Sequence, residues 1–362
     1  MRQITLQIAK FVVPAVIILV LLMRMEPSDW ESLSERPIHW PFLALALAVA
    51  MTAIALSFLR WWVLVRCQEI QLKLLEAFRL SSICFLLSFV SAGSVGGDLF
   101  KAIFLARRSP GKRVAAVASV LVDRGAGLYG LLVLVAVGLM LRSSSNTFEF
   151  EGMSIDDLKF IVATLVIAGT LVVMILVLGG KFVDSGIKRA SKWRLIGGIV
   201  DHVGPPLRVF HDHPWAFLAS LCMSVGVHGL LVVSMYLIAT SMYEQTPTFA
   251  EHFIIVPLGM LASALPLTPA GIGVLEFTID TLYRVVPAVA TPAKGLLVAL
   301  VFEMVKVVLA VIGTIFYWTA SSEEAASLEE AEQELSPSEI SSDATAVKAD
   351  VAEPTREQCQ SE

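Results

Sequence analysis

Six uninterrupted apolar runs, near residues 4–23, 41–63, 114–141, 159–179, 214–241 and 295–318, constrain this chain more than any motif in it. A bilayer's hydrocarbon core of about 30 Å takes about 20 helical residues, and backbone inside it must satisfy its own N–H and C=O groups. Runs of this length are therefore expected to cross as α-helices. Composition agrees, since 362 residues with 56 % hydrophobic and 16 % charged side chains cannot hide their apolar surface in one water-soluble core. The expected fold class is an all-α polytopic membrane protein with about six full transmembrane helices. The first run follows Arg2 and Lys10 as a signal peptide would, but Met23-Arg24-Met25-Glu26 offers no small-residue cleavage site, so a retained anchor is expected.

Two further apolar segments, 80–108 and 253–286, are broken in the middle by Gly and Pro. Positive charge is retained on the cytoplasmic side of a membrane, so Lys and Arg indicate how these segments run. Arg60, Arg66, Lys73 and Arg79 lie before the first, and Lys101, Arg107, Arg108, Lys112 and Arg113 close it. Both of its ends are expected in the cytoplasm, making it a re-entrant helical hairpin with its tip at Ser91 to Asp98. The basic connection 180–213 also fits the inside, whereas 24–40, 142–158 and 242–252, poor in Lys and Arg or acidic, fit the outside. Carried forward, this alternation brings the second hairpin in from the outer face, with its turn at LPLTPAGIGVLE (265–276), and leaves both termini cytoplasmic. The order span, span, hairpin, span then repeats with every direction reversed, a possible inverted repeat with two opposed hairpins. The tips match as well: Ala92-Gly93 and Asp98 against Ala270-Gly271 and Glu276.

Residues 1–320 thus read as one transmembrane domain. Residues 321–362 hold twelve acids against Lys348 and Arg356, a net charge of −10 that leaves +5 for the rest. Rich in Ser, Glu and Ala and without an aromatic, this segment reads as a disordered acidic cytoplasmic tail. Basic residues occur only as membrane-flanking clusters, so no nucleic-acid partner is expected. Cys67, Cys84, Cys222 and Cys359 are scattered without metal or disulfide spacing, so free thiols are expected and neither a metal nor a cofactor. His211-Asp212-His213 reads as a surface turn before Pro214, and Trp61 and Trp62 as interfacial anchors. No P-loop, G-x-S-x-G or metalloprotease signature occurs, which argues against ATP-driven transport and common hydrolase chemistry.

Irregular backbone at membrane depth needs protein or a watery cavity around it, so two opposed hairpins imply a polar chamber. Gly96 and Gly97 would let an anion reach backbone N–H groups at a helix start near Asp98, with Lys101 one turn in; alternatively the glycines only permit a tight turn and close packing. Asp98 either caps that helix or titrates. Asp123 and Arg124 lie within an apolar helix, where each charge costs roughly 2.5–3.5 kcal/mol, and being adjacent they must find separate partners. Glu303 and Lys306 are spaced to pair on one face, while Glu276, Asp280 and Arg284 recur every four residues as a stripe that could line the chamber. His228 is either a proton relay or a packing residue.

At RWWVLVR (60–66), GSVGGDLFKAIFLARR (93–108), ASVLVDRGAGL (118–128) and LPLTPAGIGVLE (265–276), the chain resembles the lysylphosphatidylglycerol synthase transmembrane, or flippase-like, family. The resemblance implies an integral membrane domain that moves or binds lipids, best known as the translocating half of proteins that make and flip aminoacylated phosphatidylglycerol. It marks Arg60, Gly96, Gly97, Asp98, Lys101, Asp123, Arg124, Gly271, Gly273 and Glu276; internal symmetry adds Glu303. The acidic segment after the last span is too polar to form the family's aminoacyl-transferase domain, so enzymatic activity is not expected. The implied substrate is an anionic, aminoacylated or polyprenyl-phosphate lipid of the cell's inner membrane. Cell-envelope or glycolipid biosynthesis proteins are implied partners. A membrane enzyme acting on a lipid-linked substrate and a non-transporting scaffold are the competing readings.

Overall fold

Nine helices account for nearly all of the described chain, which comprises residues 38–88, 96–109, 111–141, 149–150, 153–178, 209–265 and 271–319 of a computed structural model. They are α1 (Trp40–Cys67), α2 (Leu74–Leu87), α3 (Gly96–Arg108), α4 (Arg113–Leu141), α5 (Ile155–Leu178), α6 (Pro214–Met242), α7 (Phe249–Ala264), α8 (Val274–Val285) and α9 (Gly295–Trp318). A two-residue antiparallel β pair, Glu149–Phe150 with Met153–Ser154, precedes α5. Five helices, α1, α4, α5, α6 and Gly295–Phe316 of α9, are long and apolar enough to cross a membrane. They coincide with five of the six runs read from sequence. The run at 4–23, the tail at 321–362 and the tip residues 89–95 and 266–270 lie outside the described residues.

The starts of these helices follow local chemistry. Pro lies in the first turn of α1 and α6, where a missing N–H costs nothing. Thr248 caps α7 reciprocally with Glu251: Glu251 N–H donates to Thr248 Oγ1 at 3.3 Å, and Glu251 Oε2 accepts the Thr248 N–H at 2.7 Å.

Helices α2, α3, α7 and α8 have 14, 13, 16 and 12 residues, too few to cross alone. They form two antiparallel helical hairpins. In the first, Arg108 at the end of α3 reaches Glu76 at the start of α2, and Gly97 lies against Cys84 and Ser88 at the far end. In the second, His252 near the start of α7 meets Tyr283 near the end of α8, with Nε2 to hydroxyl 2.8 Å, while Gly271 lies against Ser263. A glutamate closes the foot of each. Glu76 Oε2 accepts the Lys73 N–H at 3.1 Å and Oε1 takes Arg108 at 3.2 Å. Glu251 likewise caps α7 with one oxygen, and with the other accepts the Ala288 N–H at 2.7 Å, beyond α8.

The two halves of the chain exchange equivalent contacts. Helices α1 and α6, each preceding a hairpin, pack antiparallel: the His39 N–H donates to Ser241 O (3.1 Å), Ser234 Oγ donates to Ala46 O (2.8 Å), and Arg60 reaches Ser224. Helix α4 passes against the other half's α7, where a Cβ on Gly138 would come within 2.8 Å of Phe253 and Ile254. Helix α9 passes against α2, where Gly313 faces Ser82 and Leu86 just as closely. Each last span therefore rests on the first hairpin arm of the other half. Small residues permit this approach where no difference in apolarity drives helices together. Only 6 % of the most apolar window of α5 is buried against 61 % for α9, so α5 is peripheral and α9 central.

Candidate functional site

Asp98 and Glu276 are each the third residue of a hairpin's second arm. A carboxylate there faces the positive end of its own helix. Glu276 uses the position fully: Oε2 accepts the Gly273 N–H at 2.6 Å, while Gly271 and Gly273 turn the chain with φ of +72° and +92°. Such backbone favours glycine. Helix α3 begins at Gly96, two residues earlier than an Asp98 start. At Gly97, the place of a Cβ is taken by the Cys84 carbonyl of α2, so this glycine serves close helix packing.

Helix α4 gives its two adjacent charges different partners. Asp123 turns to α1, accepting from Arg60 Nε at 2.8 Å with Arg60 only 5 % exposed. Arg60 Nη1 donates onward to Ser224 Oγ on α6 at 2.8 Å. Arg124 turns instead to α3 and pairs with Asp98. Beside the Arg60 node, His228 Nε2 and both terminal Arg60 nitrogens approach the open face of Gly127. Neither ring nitrogen of His228 has a hydrogen-bond partner among the described residues. Ser224 gave no signal in sequence, because one serine in an apolar helix usually bonds its own backbone, and Ser224 also does so, donating to Ser220 O at 2.9 Å.

In the second half, Glu303 is fully buried on α9 with Lys306 Nζ 2.7 Å from Oε1. Glu276 is also fully buried, lies within electrostatic reach of Glu303, and leaves Oε1 without a hydrogen bond among the described residues. The Asp280–Arg284 part of the stripe departs from it. Arg284 pairs with Asp280, whose Oδ1 accepts the Leu296 N–H at 3.0 Å and so caps α9. Gly295 makes room, since a Cβ there would meet Asp280 Cα at 2.7 Å.

Eight of the ten charged candidates therefore form four ion pairs: Arg60–Asp123, Arg124–Asp98, Arg284–Asp280 and Lys306–Glu303. The other two are Lys101 and Glu276, one in each hairpin. Lys101 has aromatic neighbours instead, its Nζ 4.9 Å from the Trp61 ring centre and 5.8 Å from that of Phe58. Trp61 is wholly buried, which corrects its reading as an interfacial anchor: it forms a floor beneath the cation. Trp62 is half-buried and donates its indole N–H to Leu72 O at 2.9 Å. His211 is tied by Nδ1 to Val177 O at 2.8 Å, and no cluster of metal-ligating side chains occurs among the described residues.

This arrangement can hold one negative group at Lys101 without breaking an ion pair, and one proton or cation at Glu276. A lysine over aromatic faces keeps its charge and donors available to a further partner. No curated protein and no solved structure matches the chain. The family model described as the lysylphosphatidylglycerol synthase transmembrane region matches residues 7–313. With five helices long and apolar enough to cross a membrane, two short helical hairpins and a match over most of its length, the chain is a multi-pass membrane protein of the lysylphosphatidylglycerol synthase transmembrane-region family.

Proposed function

We propose that the protein moves a phosphate-bearing lipid across the cell's inner membrane without altering it chemically. The two hairpins enter from opposite faces, both termini are cytoplasmic, and the headgroup passes between the hairpin tips while the acyl chains stay in the bilayer. The observation that carries this reading is the charge pattern: Lys101 has no carboxylate partner among the described residues and stands over Trp61 and Phe58, while every other cation among the candidates is in an ion pair. Lys101 receives the phosphate, and Glu276 either takes up a proton during the cycle or meets the ammonium of an aminoacylated headgroup. Substrates of this class are anionic, aminoacylated or polyprenyl-phosphate lipids.

The test is translocation in proteoliposomes, with headgroup-labelled phosphatidylglycerol and a membrane-impermeant quencher. The native chain speeds exchange over protein-free vesicles, and Lys101→Gln removes most of the gain while the protein stays folded. Exchange no faster than in empty vesicles for anionic and polyprenyl-phosphate lipids alike contradicts the reading. A second reading, an enzyme acting on a lipid-linked substrate, draws on Glu276 and Glu303 as neighbouring buried carboxylates suited to acid and base roles. Chemical change in the recovered lipid would favour it.

A further inference from the structure

We propose that a basic pocket at the foot of the first hairpin, separate from the tip residues, is a docking site for the headgroup of an anionic phospholipid at the membrane surface. The pocket encloses about 520 Å³, within the usual range for small-molecule sites. It is walled by Trp62 and Arg66 from the end of α1, Leu72 and Lys73 from the linker, Glu76 from the start of α2 and Arg108 from the end of α3. None of these belongs to the route between the tips.

Three observations give the pocket its ligand class. The first is charge. Glu76 is its one acid, and that carboxylate is occupied by the Lys73 N–H on one oxygen and Arg108 on the other. Arg66 and Lys73 have no carboxylate within ion-pair distance among the described residues, so the pocket keeps an excess of two positive charges. The nearby Glu69 is taken by Lys112 at 3.2 Å. The second is rigidity. The indole N–H of Trp62 is fixed on Leu72 O at 2.9 Å, and the Arg66 guanidinium stands 6.0 Å from the centre of the Trp62 ring. An aromatic wall thus holds one cation in place and pins the linker carrying the other. The third is position. Leu74 and Leu75, immediately after Lys73, are 44 % and 72 % exposed at the start of a hairpin. Exposed leucines beside a basic, tryptophan-walled pocket are what a membrane–water boundary requires: acyl chains meet the leucines while the phosphate meets Arg66 and Lys73. Arg offers a fork to phosphate oxygens and Lys a movable point charge, and together they suit a phosphodiester better than a carboxylate alone. The shared chemistry also fits free phosphate, but the leucines favour the lipid.

This inference stands or falls separately from the translocation reading, since a docking site needs no transport. The test is native mass spectrometry of the full chain released from detergent micelles, titrated with phosphatidylglycerol, phosphatidylcholine or inorganic phosphate. The native chain binds phosphatidylglycerol in preference to phosphatidylcholine, and Arg66→Gln with Lys73→Gln weakens it about tenfold or more, with phosphatidylcholine unaffected. The charge-preserving swap Arg66→Lys with Lys73→Arg keeps most of the binding, which separates charge from folding. Glu76→Gln, whose amide oxygen still accepts the Lys73 N–H, tightens binding a few-fold. Native binding of phosphatidylglycerol by the double Gln variant overturns the proposal, as does displacement of the lipid by millimolar inorganic phosphate.

Discussion

Arg60 Nε donates to Asp123 Oδ1 at 2.8 Å across 63 residues of chain, with the two side chains 6 % and 13 % exposed. This pair joins α1 to α4, and Ser224 extends it to α6, so one guanidinium fixes the relative rotation of three helices. Breaking such a pair by removing one partner leaves the other charge uncompensated, at a cost of about 3–5 kcal/mol. Asp123→Ala should therefore lower thermal stability in detergent sharply. Replacing both, as in Arg60→Met with Asp123→Leu, should recover much of the loss, because no charge then stays buried alone. A double variant that melts near the native temperature yet no longer moves lipid would mean that the node acts in transport as well as in packing.

The glycines at helix crossings make a second prediction. A Cβ at Gly97 would collide with the Cys84 carbonyl, and one at Gly313 with the Ser82 carbonyl. Both clashes are with backbone, so Gly97→Ala and Gly313→Ala should each cost about 1–3 kcal/mol. Gly125 has open space in the same helix as Asp123, and Gly125→Ala should be neutral or stabilise by up to about 1 kcal/mol. Thermal denaturation of the three variants side by side would check the ranking.

Positive φ at the second hairpin's turn gives a third. Gly273→Ala should cost about 1–2 kcal/mol through backbone strain alone. Gly271→Ala should cost more, since its Cβ would also lie 2.8 Å from Ser263 O. Hydrogen exchange should show the loss first in α8, whose start these residues set.

The foot of the first hairpin is expected to respond to acid. Burial acts to raise the Glu76 carboxyl, but the Lys73 N–H and the Arg108 guanidinium outweigh it and hold the group below the ordinary carboxylate range. A depressed folded-state value contributes stability above the unfolded value and loses it as pH falls through the folded one. Protection of the first turn of α2 against hydrogen exchange should thus fade as pH drops below about 4. In Glu76→Gln this fading should vanish. With Glu76 side-chain exposure at 24 %, solvent screening keeps the effect small and local.

Five helices long enough to span and two pairs of shorter apolar helices were legible in the sequence because length and apolarity decide them: about 20 apolar residues suffice to cross, and a dozen do not. Partner choice was not legible. Asp123 and Arg124 plainly needed partners, but which helix each faces depends on rotations set by packing across the whole bundle. Trp61 and Trp62 are adjacent and looked alike, yet the helix turns one into the core beneath Lys101 and the other toward the linker. Asp280 read as part of a polar stripe because its use as a cap for α9 depends on Gly295 bringing that helix start within reach. The Glu251 clasp could have been found, since Thr248 with Glu251 three residues on is a capping-box pattern. Its counterpart at Glu76 could not, because Lys73 stands where Ser or Thr would give the signal.

The fold reading and the proposed lipid route share one claim, that the two hairpins enter from opposite faces of the membrane. Single cysteines at Gln71, Arg113, Glu244 and Val289, with Cys67, Cys84, Cys222 and Cys359 replaced, test it most directly through an impermeant thiol reagent applied to sealed vesicles of known orientation. Positions 71 and 113 should label together from the cytoplasmic side, and 244 and 289 together from the other. Labelling of 71 and 113 from opposite sides, or of all four from the same side, would contradict it.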